Sequence, residues 1–145
     1  MKKLLLTLGL SIFSMGAWAN CPAKTQTIFQ CTTTNKKVIQ VCDAGKNITY
    51  SFGKQNQAPE LAVSVLRNKV KTYQWEGIGR YENYSVNIPN GNYFYRVFSS
   101  IDKINQSASA GVEISKNDDL VATVECAPSK KIINNLIGVN LQPED

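Results

Sequence analysis

The sequence predicts an all-β domain, a small antiparallel β-barrel or sandwich of seven to eight strands with a short C-terminal helix and two disulfides. Three observations carry this expectation. Apolar and polar residues alternate along most of the chain, turn-forming residues break the runs at regular intervals, and the cysteines are even in number.

Residues 1–19, MKKLLLTLGLSIFSMGAWA, have the order of a signal peptide: Lys2 and Lys3, an apolar run from Leu4 to Phe13, then Ala17 and Ala19. The run is too short to span a bilayer. Asn20 is thus expected to open a single β-domain over residues 20–145, and Trp18 and Asn20 are poor neighbours for lipid attachment at Cys21. Export to the periplasm or beyond follows.

KKVIQVC and KNITYSFG flank the turn residues DAG, so residues 37–42 and 46–53 read as a hairpin. ELAVSVLR sets Leu61, Val63 and Val65 on one face of the next strand. In YSVNIPNGNYFYRVF, Asn90-Gly91 suits a type I′ turn, which would set Ile88 against Tyr93, Val86 against Tyr95 and Tyr84 against Val97. The polar cluster at residues 105–109 reads as a mobile loop. SAGVEI and LVATVEC form a last hairpin; a three-residue loop at Asn117 to Asp119 sets Ile114 against Ala122 and Val112 against Val124, with Cys126 inward. In SKKIINNLIG, Ser129 as cap, apolar Ile132, Ile133, Leu136 and Ile137, and Gly138 as stop predict the short helix.

Lys2 and Lys3 leave with the signal, so 14 basic residues face 11 acidic ones, a net charge near +3. Such a mild excess does not mark a nucleic-acid binder. The chain has no histidine, which removes the usual general base and the commonest zinc ligand, and paired cysteines leave no free thiol for catalysis. No enzyme activity, cofactor or metal is expected. Asn117, Asp118 and Asp119 are too few and too close to surround calcium and read as a turn.

Two surfaces are candidates. The first is WEGIGRYENYS, residues 75–85, where Gly77 and Gly79 let the backbone approach a partner and Tyr81 offers rigid apolar area. Arg80 either presents its guanidinium outward or stacks on a tyrosine and pairs with Glu82; Trp75 either packs against the end of the sheet or stands out as an anchor. The second is RNKVK, in which Arg67, Lys69 and Lys71 point one way if the chain is extended, a basic patch for anionic envelope glycan or lipid, or simply a solvated face.

VCDAGKNITYSF and VATVECAP resemble the opening and closing strands of the small exported inhibitors of C-type lysozyme from Gram-negative bacteria, and GIGRY resembles their inhibitory Ser-Gly-x-x-Tyr loop. Gly77 stands where that loop has Ser, and Lys103 is the candidate for the lysine of a second family loop. The resemblance covers roughly residues 38–128. It implies a Cys42–Cys126 bond, which leaves Cys21 with Cys31, and a partner-binding set of Gly77, Gly79, Arg80, Tyr81 and Lys103. The implied activity is occlusion of a muramidase cleft, with Arg80 facing the two carboxylates on which glycosidases rely. An immunity protein against another toxin would share this physics, and the basic patch is the competing mode of binding.

Overall fold

In the computed structural model, which describes residues 20–145, the chain folds as two β-sheets packed face to face. The strands are β1 (Gln26–Thr32), β2 (Lys37–Asp43), β3 (Asn47–Lys54), β4 (Leu61–Leu66), β5 (Lys71–Gln74), β6 (Tyr81–Asn90), β7 (Tyr93–Asp102), β8 (Ser107–Lys116), β9 (Asp119–Glu125), β10 (Ile133–Asn134) and β11 (Gln142–Pro143). One sheet has the order β10-β1-β2-β3-β4 and the other β11-β5-β6-β7-β8-β9. All pairings are antiparallel except β11 with β5. The all-β expectation holds in the sandwich form. The sheets do not close into a barrel, because β4 and β9 remain edges, and among the described residues strand-type pairing between the sheets is limited to an isolated bridge, Thr33 to Cys126.

Period-two alternation places the core as expected. Ile39 and Val41 on β2, Ile48 and Tyr50 on β3, Val86 and Ile88 on β6, and Val97 and Val112 on β7 and β8 are all sealed from solvent. Tyr50 stacks on Tyr95 across the sandwich, ring centroids 4.9 Å apart, which ties the two sheets by an aromatic pair. β4 exposes alternate residues and tucks Leu61, Val63 and Val65 toward the core.

The β6–β7 hairpin is shifted by two residues from the predicted register. Ile88 faces Tyr95 and Val86 faces Val97, so the turn is Gly91-Asn92. Only Gly91 takes a positive φ there, 62°, the pattern of a type II′ turn with glycine first. A two-residue shift conserves the faces, so the apolar stripe survives the correction.

The β8–β9 register does match at Ile114 with Ala122 and Val112 with Val124. It is reached differently: a two-residue turn at Asn117-Asp118, both with positive φ, is followed by an irregularity that adds the missing residue. The predicted loop at 105–109 is mostly strand, since β8 begins at Ser107.

The C-terminal helix is absent. Residues 133–134 pair with β1, Asn135 Nδ2 donates to the Thr27 carbonyl, and Asn134 Oδ1 accepts from the Leu136 amide. Asparagine side chains that bond backbone locally, beside two β-branched isoleucines, favour this extended path over a helix. Leu136 is fully buried, so the apolar spacing serves a tail that plugs the sandwich.

The disulfides are Cys21–Cys42 and Cys31–Cys126, not Cys42–Cys126 and Cys21–Cys31. Residues 20–36 explain the exchange. They supply β1, which lies between β10 and β2, and Thr33 pairs with Cys126 at its end. Cys31 therefore faces the core beside Cys126, whereas Cys42 shares a face with Gln40, opposite to Ile39 and Val41, where Cys21 folds over it. Two bridges fit an oxidising compartment. Among the described residues no helix is long and apolar enough to cross a membrane. The signal-peptide expectation lies outside the described residues.

Candidate functional site

One end of the six-stranded sheet gathers the residues singled out around GIGRY. The chain leaves β5 at Gln74 and enters β6 at Tyr81, and the loop between them is free of the sheet. Gly77 and Gly79 take φ of 86° and 99°, a left-handed conformation that other residues resist, and this double bend thrusts Ile78 outward. Ile78 is 82% exposed.

The loop is braced from within. Trp75 Nε1 donates to the Ile78 carbonyl at 2.9 Å, closing the loop on itself. Arg80 makes a fork with Asp102, Nε to Oδ1 at 2.9 Å and Nη2 to Oδ2 at 2.7 Å. This clasp is bidentate and charge-assisted. The Arg80 carbonyl accepts from the Lys103 amide, and its guanidinium lies 5.2 Å from the centre of the Tyr81 ring.

Asp102 ends β7 and also shapes the next turn. Its carboxylate accepts from the Ile104 and Asn105 amides and from Asn105 Nδ2. The turn at residues 103–106 is thereby fastened beside the glycine loop. Lys103 Nζ sits over the Trp75 ring, 4.3 Å from its centre, and forms no ion pair among the described residues. Ile104 is exposed at the tip of this second loop. Two isoleucine tips thus stand beside one lysine, Tyr81 and the outer edge of Arg80.

Of the five residues predicted for the site, all stand in this cluster, with altered roles. Gly77 and Gly79 shape the loop, Tyr81 is half exposed and Lys103 is presented outward. Arg80 pairs with Asp102 and not with Glu82, which instead accepts from the Tyr84 hydroxyl. Ile78, Ile104 and Asp102 were missed. Asp102 lies opposite Tyr81 only in the true β6–β7 register; the Asp-Lys-Ile-Asn order, with Asp able to cap a turn, was the available signal.

The basic stripe does not form. Arg67–Lys69 is a 3₁₀ turn, whose three-residue repeat does not align alternate side chains. Arg67 is consumed by Asp43 at 2.6 Å and by the Gly45 and Asn140 carbonyls, and Lys71 pairs with Asp145. Among the described residues no cluster of three or more His, Cys, Asp or Glu could hold a metal ion.

The Arg80 guanidinium, with help from the Asn105 and Ile104 amides, holds the Asp102 carboxyl far below the usual carboxylate range. A folded-state pKa below the unfolded one contributes stability above the unfolded value, and that contribution is lost as pH falls through the folded value. The loop clasp is expected to stay intact on acidification to about pH 4 and to release in stronger acid. Trp75 is the one tryptophan after residue 19, so its fluorescence during acid titration reads the release. Asp102→Asn is expected to abolish that acid transition at the site, and a transition unchanged in the variant contradicts the assignment.

The fold and cluster define a disulfide-braced β-sandwich that presents two fastened loops at one end. No family model matches the chain, and no curated protein or solved structure matches it at a significant level.

Proposed function

We propose that this chain is an exported protein-binding domain that inhibits a lysozyme-like muramidase by inserting the loop at residues 75–81 into its cleft. The observation that carries this reading is Ile78, held out in solvent at the tip of a loop already closed by Trp75 and clasped by Arg80 and Asp102. An apolar tip that is fixed before binding loses little conformational entropy on docking. Lys103, without a carboxylate of its own, supplies the charge for a cleft built on two carboxylates; Arg80, with the Nε proton and one Nη2 proton given to Asp102, positions the plug and keeps its remaining Nη protons to offer.

The purified protein is expected to slow lysis of bacterial cell walls by a C-type lysozyme. Ile78→Asp and Lys103→Glu are each expected to weaken inhibition about tenfold or more while leaving the thermal transition in place, since both side chains are exposed hot-spot candidates without core contacts. Absence of slowing at micromolar protein overturns the proposal.

A further inference from the structure

Of the four sheet edges among the described residues, three are blunted. β10 and β11 are two residues long. β9 carries an irregularity, begins on Asp119 and ends on Glu125, and its Glu125 carbonyl accepts from the Thr34 amide. Short strands, bulges and charges are the usual guards of an open edge. β4 has none of them. Its six residues, LAVSVL, pair with β3 in unbroken register and include no charge and no proline.

The Arg67 amide donates to the Lys46 carbonyl at 2.8 Å, and this sets the phase of the ladder. Because bonded and non-bonded pairs alternate in an antiparallel ladder, the backbone groups of Leu61, Val63 and Val65 serve β3, and those of Ala62, Ser64 and Leu66 point away from the sheet. Ala62, Ser64 and Leu66 are exposed, while Leu61, Val63 and Val65 are half-buried on the core side. The two ends of the strand differ in charge. Glu60, which pairs with Lys37, precedes it, and Lys46, Arg67 and Lys69 gather where it ends. Lys46 and Lys69 form no ion pair among the described residues.

We infer that β4 is the interface for a second copy of this chain, joined edge to edge about a two-fold axis so that the two five-stranded sheets become one. Outward-pointing residues must pair with outward-pointing residues, so Ala62 meets the second copy's Ser64 and Val63 lies on the axis opposite its own counterpart. Leu61 then faces the second copy's Val65, and half-buried apolar residues cover one another. Centring on Ser64 instead would set Leu61 against Arg67. The antiparallel course carries Glu60 of each copy to the basic corner of the other. An acid at one end and bases at the other complement the same sequence running in reverse, which selects a second copy over a foreign strand. The loop at residues 75–81 joins strands of the other sheet, and this pairing does not rest on the muramidase reading.

Sedimentation velocity of the purified mature protein tests the pairing. A dimer that gives way to monomer on dilution, with no larger species, is expected, because two-fold pairing uses up the edge. Ser64→Pro removes an outward amide and leaves the β3 ladder intact, so it is expected to weaken dimerisation about tenfold or more while the thermal transition remains. Ser64→Ala, which loses only the exposed bond from Asn47, is expected to dimerise as before. Val63→Cys is expected to give a covalently linked dimer on mild oxidation, since directly opposed residues of a non-hydrogen-bonded pair lie within disulfide reach, and Leu120→Cys on β9 is expected to stay unlinked. The linkage keeps the test valid if Ser64→Pro fails to fold. The interface is overturned by a monomer at every concentration up to the solubility limit, by a dimer that folded Ser64→Pro leaves unchanged, or by linkage through Leu120→Cys in preference to Val63→Cys.

Discussion

Replacing Cys31 and Cys126 together by alanine is expected to lower the unfolding free energy by about 4 to 5 kcal/mol, against about 3 kcal/mol for Cys21 with Cys42. The difference follows from sequence separation, 95 residues for the first bridge and 21 for the second, because a longer closed loop removes more freedom from the unfolded chain. Both bridges hold their Cα atoms 5.8 Å apart, well inside the range a disulfide spans. Native geometry therefore favours neither. The first bridge also joins the two sheets, since Cys31 lies near the end of β1 while Cys126 follows β9. Urea denaturation of the two double variants measures the ranking, and equal or reversed losses contradict it. Mass spectrometry of nonreduced fragments tests the pairing itself.

Gly111→Ala is expected to cost about 3 kcal/mol, although it adds a single methyl group. Gly111 lies opposite Glu125, and a Cβ there would overlap the Val124 carbonyl oxygen and approach Glu125 Cα at 3.0 Å. Both obstacles are backbone, so the strain cannot be relieved by a side-chain rotamer. β9 would have to move away from β8, and with it Cys126, whose amide bonds the Ala110 carbonyl. Ser109→Ala, at an exposed position of the same strand, is expected to change stability by less than about 0.5 kcal/mol. Thermal unfolding of the two variants side by side checks the contrast.

How far the fold was legible differs from element to element. The strand faces of Ile39 and Val41, of Leu61, Val63 and Val65, and of Val86 and Ile88 follow from alternation alone. The Asn90-Gly91-Asn92 turn shows the limit of that reasoning. Asn-Gly is the strongest local signal for a type I′ hairpin, yet Gly91-Asn92 wins, and the pairing that seats Val86 against Val97 and Ile88 against Tyr95 puts large apolar side chains opposite one another. Core packing outweighed the turn preference. The same two-residue shift hid the site's main contact, because it brings Asp102 opposite Tyr81 and within reach of Arg80. GIGRY could be recognised as an outward loop from its glycines, and the Asp-Lys-Ile-Asn order marks Asp102 as a turn cap, but only the strand pairing makes it the acid that clasps Arg80.

Near the C-terminus, Ile132, Ile133, Leu136 and Ile137 satisfy a helical spacing as well as an extended one, and the free edge of β1 selected the latter. The cysteines teach the same lesson across the whole chain. Four of them allow three pairings, and only the insertion of β1 beside β2, with Cys42 turned outward and Cys31 inward, singles one out.

What the residues alone determined, then, was the class of fold, the faces of its strands and the loop that stands out, because side-chain alternation and turn preference act over a few neighbouring positions. Which cysteines join, what holds Arg80, and where the tail runs were decided by tertiary structure. Each depends on which distant strands become neighbours, and that choice is made by the packing of the whole core.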